Sequence, residues 1–125
     1  MARGLVKDIY TQFATSKDFG FSNQIQRAVT SIMNNIAEGF DKSKNSKDNR
    51  QLLSYLNISY GSCGEVKSML YVAEDLGYIN IETAKSLRKR CTDLSIKIAS
   101  FMSSLRNYDI NKNNRTNSRR LTNTK

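Results

Sequence analysis

Between Gln24 and Gly39 the apolar residues fall at Ile25, Ala28, Val29, Ile32, Met33, Ile36 and Ala37. The steps alternate between three and one, which draws one continuous face of an α-helix. Gln26, Arg27, Thr30, Ser31 and Asn34 occupy the opposite face. Gly39 follows the last periodic residue, where a helix favours a left-handed terminating position, so the pattern predicts a helix end at Glu38. Thr15 or Ser16 is the expected N-cap, with Ser22 as a second choice. A face this regular must be covered by other helices.

The rest of the chain supplies them. Leu5, Val6, Ile9, Tyr10 and Phe13 repeat at helical spacing and predict a short first helix over residues 4–13. The polar run Asp41 to Arg50 is a connection, with Ser46 as the expected cap of a third helix over 47–76. Its stripe is Leu52, Leu53, Leu56, Tyr60, Cys63, Val66, Leu70 and Ala73; Tyr55 and Ile58 lie off it and suggest a second contact face. Gly61, Ser62 and Gly64 interrupt this helix, and the expectation is that small residues admit another helix closely. Gly77 ends the third helix and Asn80 caps the fourth. There Ala84, Leu87, Cys91, Leu94, Ile98, Phe101, Met102 and Leu105 follow a nearly heptad seam. Short connections make such helices antiparallel neighbours. The fold class read from these patterns is all-α, an antiparallel four-helix bundle over residues 1–106. From Asn107 on, six Asn and five Lys or Arg leave only Ile110 and Leu121 as aliphatic residues. Residues 107–125 are therefore expected to form a disordered basic tail.

Composition narrows the chemistry. The chain has no His, so the commonest general base and metal ligand is missing. The di-metal bundle pattern needs Glu-x-x-His, so Glu38 and Glu65 are read as capping or ion-pairing groups. Neither phosphate-binding glycine motif is present, and no Ser, Thr or Cys has a visible base partner. The expectation is a protein without catalytic residues, metal or cofactor. Cys63 and Cys91 lie in apolar helical patterns and read as buried thiols in a reducing cytosol. No apolar run approaches the ~20 residues of a membrane span.

Charge points to a partner. Twenty Lys and Arg against eleven Asp and Glu give +9, which favours an acidic partner, nucleic acid first and an anionic surface second. The candidate contacts are Lys42, Lys44, Lys47 and Arg50 in the polar connection, Lys85, Arg88, Lys89 and Arg90 on the fourth helix, and Lys112, Arg115, Arg119, Arg120 and Lys125 in the tail. No stacking platform stands out, so the expected binding reads charge and shape.

Three sequence blocks resemble a known family. They are Gly20-Phe21-Ser22-Asn23-Gln24-Ile25-Gln26-Arg27-Ala28 with Ser31-Ile32 and Asn35-Ile36-Ala37-Glu38-Gly39, then Tyr60-Gly61-Ser62-Cys63-Gly64-Glu65, then Ala73-Glu74-Asp75-Leu76-Gly77-Tyr78-Ile79. Their order and spacing resemble the four-helix-bundle proteins encoded within intervening sequences of large-subunit ribosomal RNA genes. That family is similar in fold to the accessory variability determinant of diversity-generating retroelements. The resemblance implies a homopentameric ring, no enzymatic activity, RNA or DNA as partner, and a reverse transcriptase as protein partner. It also implies helix-packing or oligomer roles for Gly61, Ser62, Gly64, Glu65, Tyr55 and Ile58, with Glu65 capping or paired to Arg27. The chain departs from the family where Phe13-Ala14 replaces Phe-Pro, where Lys17 replaces an expected Glu, and in a first helix shorter at its N-terminus. A purely structural or protein-interaction scaffold is the competing reading.

Overall fold

The computed structural model describes the backbone of residues 1–123 and the side chains of residues 1–119. Four helices follow one another: α1 (Ala2–Phe13), α2 (Phe19–Ser43), α3 (Arg50–Asp75) and α4 (Ile81–Asn123). There is no strand among the described residues. Each helix packs on its chain neighbours, and α1 closes the circle against α4. Cross-helix pairs give the directions. Tyr10 meets Thr30 while Phe13 meets Phe21, so α1 and α2 are antiparallel. Ser62 meets Ser31 while Tyr55 and Leu52 meet Gly39, so α2 and α3 are antiparallel. Arg88 meets Glu74 at one end and Asp109 meets Asn49 at the other, so α3 and α4 are antiparallel.

The core follows the stripes read from the pattern, with Tyr10, Ala37, Tyr60 and Phe101 left exposed. Leu5, Ile9 and Phe13 from α1, Ile25, Val29 and Ile32 from α2, Leu56, Val66 and Leu70 from α3, and Leu87, Cys91 and Met102 from α4 are all buried. Both cysteines are buried free thiols. Loss of hydration pushes Cys63 up to about 11 and Cys91 up to about 12, so neither is a useful thiolate at neutral pH. The buried hydroxyl of Ser59 donates to the Ile32 carbonyl at 2.8 Å, which avoids an unpaired polar group at the α2–α3 contact.

Helix ends separate the local signals that hold from those that do not. Gly77 has φ +73; its N–H donates to Glu74 O at 3.1 Å and the Tyr78 N–H donates to Ala73 O at 2.8 Å. These two bonds form a Schellman motif, and Gly77 ends α3 as the sequence predicts. Asn80 Oδ1 accepts from Thr83 N at 2.7 Å, so it caps α4 as expected, and Glu82 follows in the first turn. The α2 cap is neither Thr15, Ser16 nor Ser22 but Asp18, whose Oδ1 accepts from Phe21 N at 3.0 Å. Helix α3 begins at Arg50 rather than 47. Ser46 caps a turn through Asp48, and Asp48 Oδ1 takes the Arg50 N–H at 3.1 Å.

Two glycine expectations are corrected. Gly39 does not end α2, which continues to Ser43. It is buried, and a Cβ there would lie 2.9 Å from Tyr55 Cβ and 3.2 Å from Leu52 Cδ1. Its missing side chain admits α3 rather than a left-handed turn. Gly61 and Gly64 do not admit a helix of this chain; both are exposed with nothing within 4 Å of an added Cβ.

The tail expectation also differs from the structure. Helix α4 is 43 residues long, about 65 Å at 1.5 Å per residue, and runs through 107–123. The costly step of helix formation is nucleation, and the packed part of α4 supplies it; each further residue then adds a hydrogen bond. The Asn49 side-chain amide donates to Asp109 Oδ1 at 3.0 Å and pins the first turn of this extension to the start of α3.

Arg88 holds α3 to α4. Its guanidinium stacks 4.0 Å from the Tyr71 ring centroid, and Nη1 stands 3.5 Å from Glu74 Oε2. The residue is 8% exposed, and Nη1 has no hydrogen bond, so the link to Glu74 is charge attraction at ion-pair distance. At the same end Tyr78 Oη donates to Asp18 Oδ2 at 2.6 Å and joins the α1–α2 connection to the α3–α4 connection.

These contacts set three expected outcomes. In urea denaturation Gly39→Ala should lose about 1–2 kcal/mol: overpacking against Tyr55 Cβ outweighs the roughly 1 kcal/mol gained in helix propensity. Arg88→Ala should cost about 3 kcal/mol, because Glu74 keeps a largely buried charge and Tyr71 loses its cation, whereas Lys85→Ala and Lys89→Ala should stay within about 0.5 kcal/mol. The Asp18–Tyr78 bond sets a pH window. The Tyr78 hydroxyl, then the Phe21 N–H, hold the Asp18 carboxyl below 3.8, so this contribution is present above 3.8 and lost as pH falls through the lowered value. The same bond raises the Tyr78 phenol above 10, so the contribution is full below 10 and lost as pH climbs through the raised value. Thermal melts of Tyr78→Phe against the parent should differ at neutral pH and converge at both extremes.

Candidate nucleic-acid interface

The cations predicted from sequence divide into groups that the fold treats differently. On the first turns of α4, Lys85 and Lys89 face solvent. Arg88 does not; it is the buried partner of Tyr71 and Glu74 and is withdrawn from the contact set. Arg90 is half-buried and donates to Asp8 Oδ2, tying α1 to α4. The reason is geometric: consecutive helix residues stand about 100° apart, so Arg88 turns to α3 while Lys89, one residue on, stays outside. The four-cation face read from sequence is thus a pair of exposed lysines.

In the α2–α3 connection each cation but one has an acidic neighbour. Lys42 Nζ is 4.0 Å from Glu38 and lies 5.9 Å from the Tyr55 ring centroid. Lys44 is 3.7 Å from Asp41, and Arg50 Nε is 3.1 Å from Asp48. All three pairs are exposed, so they are worth little and exchange readily for a stronger anion. Lys47 has no ion pair among the described residues.

The fold joins this connection to the α4 extension. Lys47, Asp48, Arg50, Asp109, Lys112 and Asn113 surround one recess of about 300 Å³. Asp48 registers the convergence: the Arg50 N–H lowers its pKa most, and the Arg50 and Lys112 charges add to the lowering. Beyond the recess, Tyr108, Lys112, Arg115 and Arg119 follow at i, i+4, i+7 and i+11, one edge of a helix. With Asn111 and Thr116 they line a second recess of about 450 Å³. Lys85 and Lys112 are separated along α4 by about 40 Å, so the structure does not bring the two cation groups together. The Arg120 side chain and Lys125 lie outside the described residues.

Sequence reasoning missed Tyr108 and the Asn49–Asp109 link. The helical spacing of Tyr108 to the three cations was available, but it carries meaning only once residues 107–119 form a helix. The oligomer candidates also separate. Ser62 is buried against Ser31 at 3.0 Å, and Tyr55 is half-buried over Gly39. Ile58, Gly61, Gly64 and Glu65 face outward, and Glu65 forms no ion pair with Arg27. Among the described residues no three His, Cys, Asp or Glu group in a metal-binding arrangement, and no helix is long and apolar enough to cross a membrane.

A search of curated proteins finds no match. Among solved structures, the chain is similar to a protein of unknown function from the S23 ribosomal protein family of Bacteroides thetaiotaomicron VPI-5482. The two are 25% identical, with a TM-score of 0.69 over 81% of this chain and 90% of the other. Residues 1–100 match the family profile described as 23S rRNA-intervening sequence protein. That match spans all of α1, α2 and α3 and the first 20 residues of α4, and the chain therefore belongs to the 23S rRNA-intervening sequence protein family.

Proposed function

We propose that this protein is a non-enzymatic, oligomeric accessory protein that binds RNA or DNA in the cytosol. The observation that carries the reading is the convergence of Lys47, Arg50 and Lys112 at the bundle end from which the cationic α4 extension projects. Cations grouped this way neutralise neighbouring phosphates and release their counterions, which gives affinity without base specificity. The +9 net charge raises the local concentration of any polyanion. Family membership supports an association with ribosomal RNA genes. The likeness noted in sequence to the accessory variability determinant of diversity-generating retroelements supports a reverse transcriptase as the protein partner.

Assembly into a homopentameric ring belongs to the same reading. The outer edge of α3 presents Ser54, Ile58, Gly61, Glu65, Ser68 and Val72 in steps of four and three, all exposed. Small residues at that spacing let a second helix approach closely, which gives Gly61 the use that it lacks within one chain. The same edge favours the alternative reading, a protein-interaction scaffold whose charge only keeps it dispersed.

A titration of purified protein with RNA at two salt concentrations, together with its native mass, separates the readings. The expected result is a particle of pentamer size whose affinity falls steeply with salt. Lys47→Gln, Arg50→Gln and Lys112→Gln should each reduce the slope of log affinity against log salt by about 0.7–0.9, one phosphate contact apiece. Gly61→Leu should lower the native mass with helicity retained. A well-folded pentamer that binds no RNA or DNA would leave the scaffold reading in place.

A further inference from the structure

Tyr108 has no structural task in the bundle. It is 62% exposed and joins none of the ring pairs Phe13–Phe21, Phe21–Tyr78 and Phe40–Phe101. The core seam of α4 passes through Ile98, Met102 and half-buried Leu105, and half-buried Asp109 carries it to Asn49. One residue is a turn of about 100° on a helix, so Tyr108 stands well off that seam. It instead heads the line of Lys112, Arg115 and Arg119, within about 60° of arc, with Asn111 and Thr116 on the flanks. A large planar ring exposed at the head of a cation ladder, with nothing of its own chain to cover it, is a surface shaped for a planar ligand attached to a polyanion.

We propose that the Tyr108–Arg119 edge of α4 is a single-strand nucleic-acid ridge, in which Tyr108 stacks on an unpaired base and Lys112, Arg115 and Arg119 follow the phosphates. This deepens the nucleic-acid reading above and rests on it. A single strand is favoured over a duplex because the ring needs the face of a base, and a duplex covers both faces of every base except at its ends. The axial steps from Lys112 to Arg115 and from Arg115 to Arg119 are about 4.5 and 6 Å, so the ladder tracks a strand laid along the helix. The Asn111 amide can reach base edges or a 2′-hydroxyl, and the Thr116 hydroxyl, which donates to the Lys112 carbonyl at 3.0 Å, is left to accept, which adds tolerance rather than a code. The ring is anchored in place because the Asn49–Asp109 bond fixes the neighbouring residue to α3.

The test is fluorescence anisotropy of the full chain with a dye-labelled oligouridylate and with a blunt-ended RNA duplex of the same length, at one salt concentration. The parent should prefer the single strand. Tyr108→Ala should weaken oligouridylate binding about tenfold, leave its salt slope unchanged and leave duplex binding unchanged. Tyr108→Phe should restore the parent affinity, which a role for the hydroxyl or a general loss of fold would not allow. Circular dichroism of Tyr108→Ala should match the parent, since the ring is exposed. Parent-like binding by Tyr108→Ala, while Lys47→Gln and Lys112→Gln still weaken it, would overturn the stacking role and keep the phosphate-binding reading. A parent that binds neither probe would overturn both.

Discussion

The seat of α2 against α3 is the constraint on which the other features depend. The two long helices come close at Gly39, where an added Cβ would lie 2.9 Å from Tyr55 Cβ and 3.2 Å from Leu52 Cδ1. Further along, Ser59 satisfies the Ile32 carbonyl and Ser62 meets Ser31, so the polar groups trapped between the helices are paired. With this contact made, α1 packs on α2, and α4 packs on α3 and α1. The cationic connection is positioned by the same contact. Residues 44–49 leave the end of α2 just past Gly39 and enter α3 just before Leu52, so their lysines can only sit at that end of the bundle.

Charge in this molecule is sorted by depth. Arg88 and Arg90 lie against α3 and α1 and serve packing, with Glu74 and Asp8 as partners. Lys42, Lys44 and Arg50 hold exposed partners that cost little to exchange. The α4 extension carries its cations on one edge with a tyrosine among them. A net charge of +9 therefore overstates the surface available at any one place, and the distribution matters more than the sum. The two buried cysteines and the absence of His leave little at neutral pH that titrates, so salt is a stronger lever than pH on any polyanion contact.

Much of the bundle was legible because its signals are local. A helix repeats every 3.6 residues, so Ile25 to Ala37 and Ala84 to Leu105 declare their buried edges without knowledge of a partner. Gly77 and Asn80 were legible for the same reason, since their hydrogen bonds close within five residues. Asp18 was missed as a cap because Thr15, Ser16 and Ser22 offer the same chemistry nearby, and only the path of the chain selects one.

The sequence by itself determined the number of helices, their core edges and the excess of positive charge, because each follows from short-range periodicity or from counting. The tertiary structure decided what identical residues do in different places. Gly39 is a packing contact and Gly61 an open surface, although both are helical glycines. Arg88 is interior and Lys89 exterior, although they are adjacent. Lys47 and Lys112 share one recess although the chain between them spans two helices. Each of these depends on which face meets another helix, and a contact such as Asn49 to Asp109, closed across 60 residues, has no signature in the local pattern.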